Sequence, residues 1–292
     1  DIIIDGLIQK YDDSSDFMFV KIIQIGEELI KKPEYQNTKD LVLMLRRINK
    51  VPTPFGYYIN ENDVLICSVF VNPIQFNNQE DLEKYPRDLE GDLALLEGVN
   101  CDFVFAPSAE EVYAEKPEFT YSFGKLENVL EGPQRPGHFN GVATIVHKLF
   151  NWSKADKAYF GEKDFQQVAI VKDLVRQFSI PIEIVECPIY RDEDGLATSS
   201  RNRRLSPEAR AIAPKIHEIL LKSASLMKTL SISQVKGYVE SEFKMRKEFT
   251  LEYFEIVDAI TLQPVKVKGE NKTVGCVAVW LDGVRLTDIQ KY

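Results

Sequence analysis

Apolar residues fall in two different rhythms along this chain, and the change comes near residue 206. Val64–Val71 is a near-continuous apolar run bounded by polar residues and Pro73, the pattern of a strand buried on both faces. Leu82, Tyr85, Leu89, Leu93 and Leu96 then form a helical stripe over 81–98, opening with acidic residues. Asp102–Pro107 reads as a strand, and Val142, Ile145, Val146, Leu149 and Phe150 mark a helix after Gly141. Ala155–Phe160 reads as a strand, Phe165–Phe178 as a helix with Val168, Ile170, Val171, Leu174 and Val175 as its apolar stripe, and Ile182–Val185 as a strand. Such alternation predicts a parallel sheet covered on both faces, with ligands at the carboxyl ends of its strands. Beyond Ser206 come two helical stretches, 207–229 and 232–247, then strand-like Leu251–Val257 and Val274–Leu281. The expected organisation is a doubly wound α/β domain over 1–188 and a smaller α+β domain over 189–292. Residues 1–50 hold apolar clusters without a clean period and stay unassigned.

Composition changes this picture little: 292 residues, 44% hydrophobic and 11% aromatic, suffice for two cored units. A net charge of -9 argues against nucleic acid as a partner, so an anionic ligand requires a local basic pocket. Four scattered cysteines without CxxC spacing read as reduced thiols in a cytoplasmic protein. No apolar run long enough for a membrane span and no signal peptide is visible. The chain opens at Asp1 rather than Met, which suggests that the natural N-terminus lies upstream.

Two strand-end segments carry the candidate chemistry. Tyr159-Phe160-Gly161-Glu162-Lys163-Asp164-Phe165-Gln166-Gln167 supplies a glycine, a lysine point charge and two amides. Thr198-Ser199-Ser200-Arg201-Asn202 supplies hydroxyls and an arginine fork. Together they offer what polyphosphate binding needs. Taken singly, either could be an ordinary loop with its charges in water; two at strand ends point to a nucleotide site.

These segments, with Ser68–Phe76, Glu80–Arg87, Leu130–Val142, Lys148–Asn151 and Asp194–Asn202, occur in the order and spacing of one family. The chain resembles the pantothenate synthetase (pantoate–β-alanine ligase) family of the nucleotidyltransferase superfamily, and Arg285–Ile289 resembles the family's ending. The resemblance implies a Rossmann-like fold. It implies ATP-dependent activation of pantoate to pantoyl adenylate, then capture by β-alanine to give pantothenate and AMP. It further implies Mg²⁺, a homodimer and a cytoplasmic location.

By motif, Gln75 and Gln167 would bind pantoate and β-alanine. Gly161, Glu162, Lys163 and Asp164 would bind ATP, and Tyr190 would meet adenine through its backbone. Thr198, Ser199, Ser200 and Arg201 match the phosphate loop, and Lys163, Ser199, Ser200 and Arg201 are the catalytic candidates. Asp92 falls where the family sets an acidic residue near the metal, although a solvated helix position is the plainer reading. Arg135 and His138 could serve the site or merely hold its loop, and Asn72 could orient substrate or cap a turn. His147 and His217 fall on helix patterns and read as packing or surface residues. Another nucleotidyl-transferring enzyme of the same fold is disfavoured by Gln75 and Gln167, which answer to the acid rather than the nucleotide.

One signature is missing. The family carries Pro-Thr-Met-Gly and then His-x-Gly-His at its first helix, where imidazoles meet the phosphates. Here Val51-Pro52-Thr53 runs straight into Pro54-Phe55-Gly56, and the three histidines lie far away. Either the sequence skips a segment between residues 50 and 60, or the chain lacks it and is a catalytically impaired or non-catalytic relative. A hole in the sheet would be costly, which favours the first reading. The chain separations at Lys50–Val51 and Thr53–Pro54 distinguish the two.

Overall fold

The structure, a computed structural model, describes residues 42–44, 64–77, 79–99, 101–115 and 119–292. The junctions at Lys50–Val51 and Thr53–Pro54 lie outside the described residues, as does most of the unassigned 1–50 segment. Within that segment only the backbone of β1 (Val42–Met44) is described, paired antiparallel to β3 (Phe103–Phe105). β3 also pairs in parallel with β2 (Ile66–Ser68).

Between β2 and β3 lie a 3₁₀ turn (Pro73–Gln75), α1 (Gln79–Glu83) and α2 (Leu89–Gly98). The single stripe expected over 81–98 is therefore two helices. Pro86 interrupts it, and Asp88 restarts it by accepting a hydrogen bond from the Gly91 amide at 3.0 Å. After β3 come α3 (Ala109–Val112), α4 (Glu131–Gln134) and α5 (His138–Ser153). Next are β4 (Lys157–Gly161), α6 (Phe165–Phe178) and β5 (Glu183–Cys187).

β4 and β5 pair in parallel, Lys157 opposite Glu183 through Gly161 opposite Cys187. Tyr159 and Cys187 pack in one cluster with Leu65, Cys67 and Val104, which joins this pair to the β2–β3 group. Of the stripe expected on α6, Val168, Ile170, Val171 and Leu174 are buried and pack with Val142, Ile145 and Val146 of α5, while Val175 is half-buried at the edge of the cluster. Each such fully buried side chain stabilises the fold by about 1.5–3 kcal/mol.

The C-terminal part comprises α7 (Pro207–Ile212), α8 (Lys215–Met227), α9 (Ile232–Met245) and an antiparallel sheet. The sheet has the order β6 (Phe249–Asp258), β7 (Thr273–Leu281), β8 (Val284–Lys291). Pro214 divides the helical stretch expected over 207–229. β8 was not foreseen; it follows a tight turn at Asp282–Gly283, both with positive φ (53° and 71°). Its alternation is functional: Val284 and Leu286 enter the core beneath α8 and α9, while Arg285, Thr287 and Ile289 border a cleft. A further apolar cluster, including Phe165 of α6 with Val257, Cys276 and Ile289, packs the sheet against the mouth of β4.

Candidate active site

The cleft has a volume of about 540 Å³ and lies between the β4–α6 junction and the face of β7 and β8. One wall is built where β4 ends. Buried Ala158, Tyr159 and Phe160 anchor the strand, and the chain leaves it through a 3₁₀ turn, Glu162–Asp164, into α6. Lys163, Asp164 and Gln167 border the cleft, and Lys163 Nζ reaches Thr287 Oγ1 at 3.5 Å. The Glu162 carboxylate is held by Lys291 at 2.5 Å.

The two glutamines opening α6 divide their work. Gln166 accepts from the Glu131 amide and donates to the Leu126 and Val129 carbonyls, so it fixes the 126–131 loop. Gln167 is 7% exposed, and among the described residues its side chain has no hydrogen-bond partner. It is the glutamine left available to a ligand.

Gln75 stands behind this wall, 1% exposed. Its Oε1 accepts from Asn72 Nδ2 at 3.0 Å, and Asn72 donates equally to the Gly141 carbonyl. Tyr113 donates to Asn72 Oδ1, so Asn72 orients Gln75 rather than merely capping a turn. Among the described residues the Gln75 Nε2 is buried without a partner, a costly state for an amide. Gly141 makes the arrangement possible. A Cβ there would stand 2.7–2.9 Å from the backbone of Ile74 and Gln75.

His138 opens α5 after Gly137, whose φ of 80° suits glycine. Its Nδ1 lies 3.0 Å from the Gln75 carbonyl. A carbonyl only accepts, so Nδ1 carries the proton and Nε2 keeps its lone pair. Burial, reinforced by the Arg135 charge, pushes the imidazole down to about 3, so it stays neutral. Arg135 borders the same cleft, and burial lowers its pKa.

The phosphate-loop residues form the second wall. Ser199 caps the 3₁₀ turn Ser200–Arg204, its Oγ accepting from the Arg201 amide at 3.3 Å. Among the described residues Ser200 Oγ is buried without a partner. Arg201 and Arg204 both meet the Asp81 carboxylate of α1, at 3.1 and 2.7 Å. Thr198 is used differently: its hydroxyl donates to Asp192 at 2.8 Å and its amide to the Tyr190 carbonyl at 3.1 Å.

Ser199, Arg201, Lys163, Asp164 and Gln167 thus border one cleft with Arg135 and His138. Gln75, Gly161, Glu162, Tyr190, Thr198, Ser200 and Asp92 are not among the residues that border it. Asp92 is buried on α2, where desolvation and the neighbouring Asp88 raise its carboxyl to about 6. His147 receives or donates to Tyr121 at 2.9 Å within an aromatic cluster, and His217 packs near Asp288, so both are structural.

The sequence reading missed the third wall. Arg285 of β8 bridges Glu131 and Glu252, and Tyr253 donates to Glu131 at 2.6 Å. The Asp-Gly turn and the alternation of 284–289 were the available signals.

A family profile described as pantoate–β-alanine ligase matches residues 58–291. The chain is 52% identical over 237 residues to the pantothenate synthetase of Bacteroides fragilis, covering 80% of this chain and 83% of that protein. It is 48% identical over 235 residues to the pantothenate synthetase of Porphyromonas gingivalis. Among solved structures, the Thermus thermophilus pantothenate synthetase superposes with a TM-score of 0.76 at 40% identity, over 82% of this chain and 86% of that one. The Francisella tularensis pantoate–β-alanine ligase, complexed with beta-gamma ATP and beta-alanine, gives 0.67 at 30% identity over 92% and 97%. By sequence and by fold, this chain belongs to the pantoate–β-alanine ligase family.

Proposed function

We propose that this chain condenses pantoate with β-alanine at the cost of ATP, through pantoyl adenylate. The observation that carries the reading is the convergence of Lys163, Arg135, Arg201 and the open amide of Gln167 on one cleft, in a member of this family. In the first step a pantoate carboxylate oxygen attacks the α-phosphorus and pyrophosphate leaves. In the second the β-alanine amine attacks the acyl carbon, loses a proton and expels AMP. Both steps bring anions together, so positioning and charge neutralisation supply most of the catalysis.

Gln75 and Gln167 hold pantoate and β-alanine in this reading. Lys163 meets the phosphates with Ser199, Ser200 and Arg201, while Gly161, Glu162, Asp164, Tyr190 and Thr198 shape the nucleotide side. Because the Thr198 hydroxyl is engaged by Asp192, its contribution is through the backbone.

Mg²⁺ supplies charge neutralisation on the phosphates when bound. Asp92, the acidic residue that the resemblance sets near the metal, does not border the cleft and so does not fit as a ligand of an ion on phosphates bound there. Among the described residues no group of three or more His, Cys, Asp or Glu could hold a metal unaided. Phosphate oxygens and water would therefore make up the shell.

A homodimer and a cytoplasmic location belong to the same proposal. Four free, buried cysteines support the location, and a mass measurement in solution tests the dimer.

The chain with pantoate, β-alanine and Mg-ATP should release AMP only when pantoate is present. Lys163→Ala should lower turnover roughly 10²-fold while melting normally. The rival reading, a relative without turnover, rests on the absent His-x-Gly-His; family membership favours the ligase. Normal ATP binding with no AMP release would overturn the proposal in the rival's favour.

A further inference from the structure

Arg135 and Glu131 sit four residues apart at α4, and their ion pair is a long one, without a hydrogen bond. The nearest approach, Arg135 Nη1 to Glu131 Oε2, is 3.8 Å. Among the described residues no acceptor meets the N–H groups of the Arg135 fork. The reason is that Glu131 is already occupied. Arg285 donates to both its oxygens, at 2.7 and 2.9 Å, and Tyr253 donates to Oε1 at 2.6 Å. Arg285 is itself shared with Glu252, whose other oxygen takes the Trp280 indole N–H at 2.7 Å. Burial alone would raise Glu131, but its bonds to Arg285 outweigh that and hold it near 2. Glu131 is therefore a permanent charge within reach of Arg135. Without Arg285 it is the natural bidentate partner for that guanidinium, because Arg135 caps the same short helix four residues on and already stands 3.8 Å away.

We propose that Arg285 is a positioning residue: by occupying Glu131 it keeps the Arg135 fork open toward the cleft, where the fork receives a substrate carboxylate. The C-terminal sheet thereby sets the affinity of the cleft for the acid substrates without touching them. This rests on the ligase reading above. The ligand class follows from geometry, since a planar fork with free donors beside the neutral His138 and the open Gln167 matches a carboxylate bidentately.

The test is a double-mutant cycle on the full chain. Arg285→Gln should raise the KM for pantoate or for β-alanine about tenfold, with kcat and the KM for ATP changed less than about twofold, as expected for one charge-assisted contact. Adding Glu131→Gln should restore the acid KM, because the amide no longer captures Arg135. A merely structural role predicts the reverse, with the double variant no better than the single one. Arg285→Lys serves as the folding control: it retains the charge but cannot fill both oxygens, so it should fall between wild type and Arg285→Gln. Unchanged acid KM values in Arg285→Gln, or no rescue in the double variant, overturn the inference alone. Wild-type protein that neither binds pantoate in calorimetry nor forms product overturns the function, and this inference with it.

Discussion

His138 shows how a single residue at the site is controlled by its surroundings. The imidazole is buried, its Nδ1–H is engaged by the Gln75 carbonyl, and its folded pKa is about 3 against about 6.5 unfolded. A depressed folded pKa means that the unfolded chain binds the extra proton between these values. The stability from keeping His138 neutral is therefore complete above about 6.5 and lost as pH falls through that window toward 3. Between pH 7 and 4.5 the loss is about 2–3 kcal/mol. His138→Gln can still donate to the Gln75 carbonyl, yet it cannot titrate. Thermal melts of that variant should lose correspondingly less stability over this range. Glu131, held near 2, stays ionised throughout it. Asp92, at about 6, titrates there with the opposite sign, but it does so in both proteins and cancels in the difference. Parallel wild-type and variant curves would refute the assignment of a buried neutral histidine.

At the scale of elements, the site depends on how closely α5 approaches the Pro73–Gln75 turn. Gly141→Ala forces a methyl against the backbone of Ile74 and Gln75, and overpacking of this kind costs roughly 1–3 kcal/mol. Gly237 on α9 is a matched control, because a Cβ there meets nothing within 4 Å. Gly237→Ala should stabilise by about 0.5–1 kcal/mol through helix propensity alone. The two substitutions should thus move the melting temperature in opposite directions, and only Gly141→Ala should raise the KM for pantoate. The same elements show what the sequence could disclose. Most of the α6 stripe was legible because its buried apolar positions repeat at helical spacing, although Val175 is only half-buried and buried Gln166 and Gln167 broke the pattern. The helices over 81–98 and 207–229 were merged because apolar periodicity runs through Pro86 and Pro214, and backbone chemistry, not hydrophobicity, breaks them. The family motif singles out Gln167 over Gln166, but residue chemistry alone does not separate them; the path of the 126–131 loop engages Gln166 and leaves Gln167 without a partner among the described residues.

For the whole molecule, β8 is what makes two architectures into one site. Its residues reach the β4 wall at Glu162 and Lys163, the loop after β5 at Arg191, and α4 at Glu131. The motif-bearing strand ends could be read from the sequence because each motif is contiguous. The third wall could not, since partners 97 and 154 residues apart, Arg191 with Asp288 and Glu131 with Arg285, are joined only by the fold. If this docking is structural, its ion pairs must differ in weight from those on the open surface. Asp288 is 2% exposed and takes Arg191 bidentately at 2.7 and 2.8 Å. Asp288→Asn removes the counter-charge of a largely buried guanidinium, a change that costs about 3–5 kcal/mol. In a chain of this size that lowers the melting temperature by on the order of 10 °C. Arg191 adjoins Asp192, which anchors Thr198 at the head of the phosphate loop, so the KM for ATP should rise as well. The Lys172–Glu186 pair is the contrast, with both side chains substantially exposed. Glu186→Gln should cost less than about 1 kcal/mol and leave the KM for ATP unchanged. Equal effects of the two substitutions in paired melts would mean that β8 rests against the nucleotide wall without holding it.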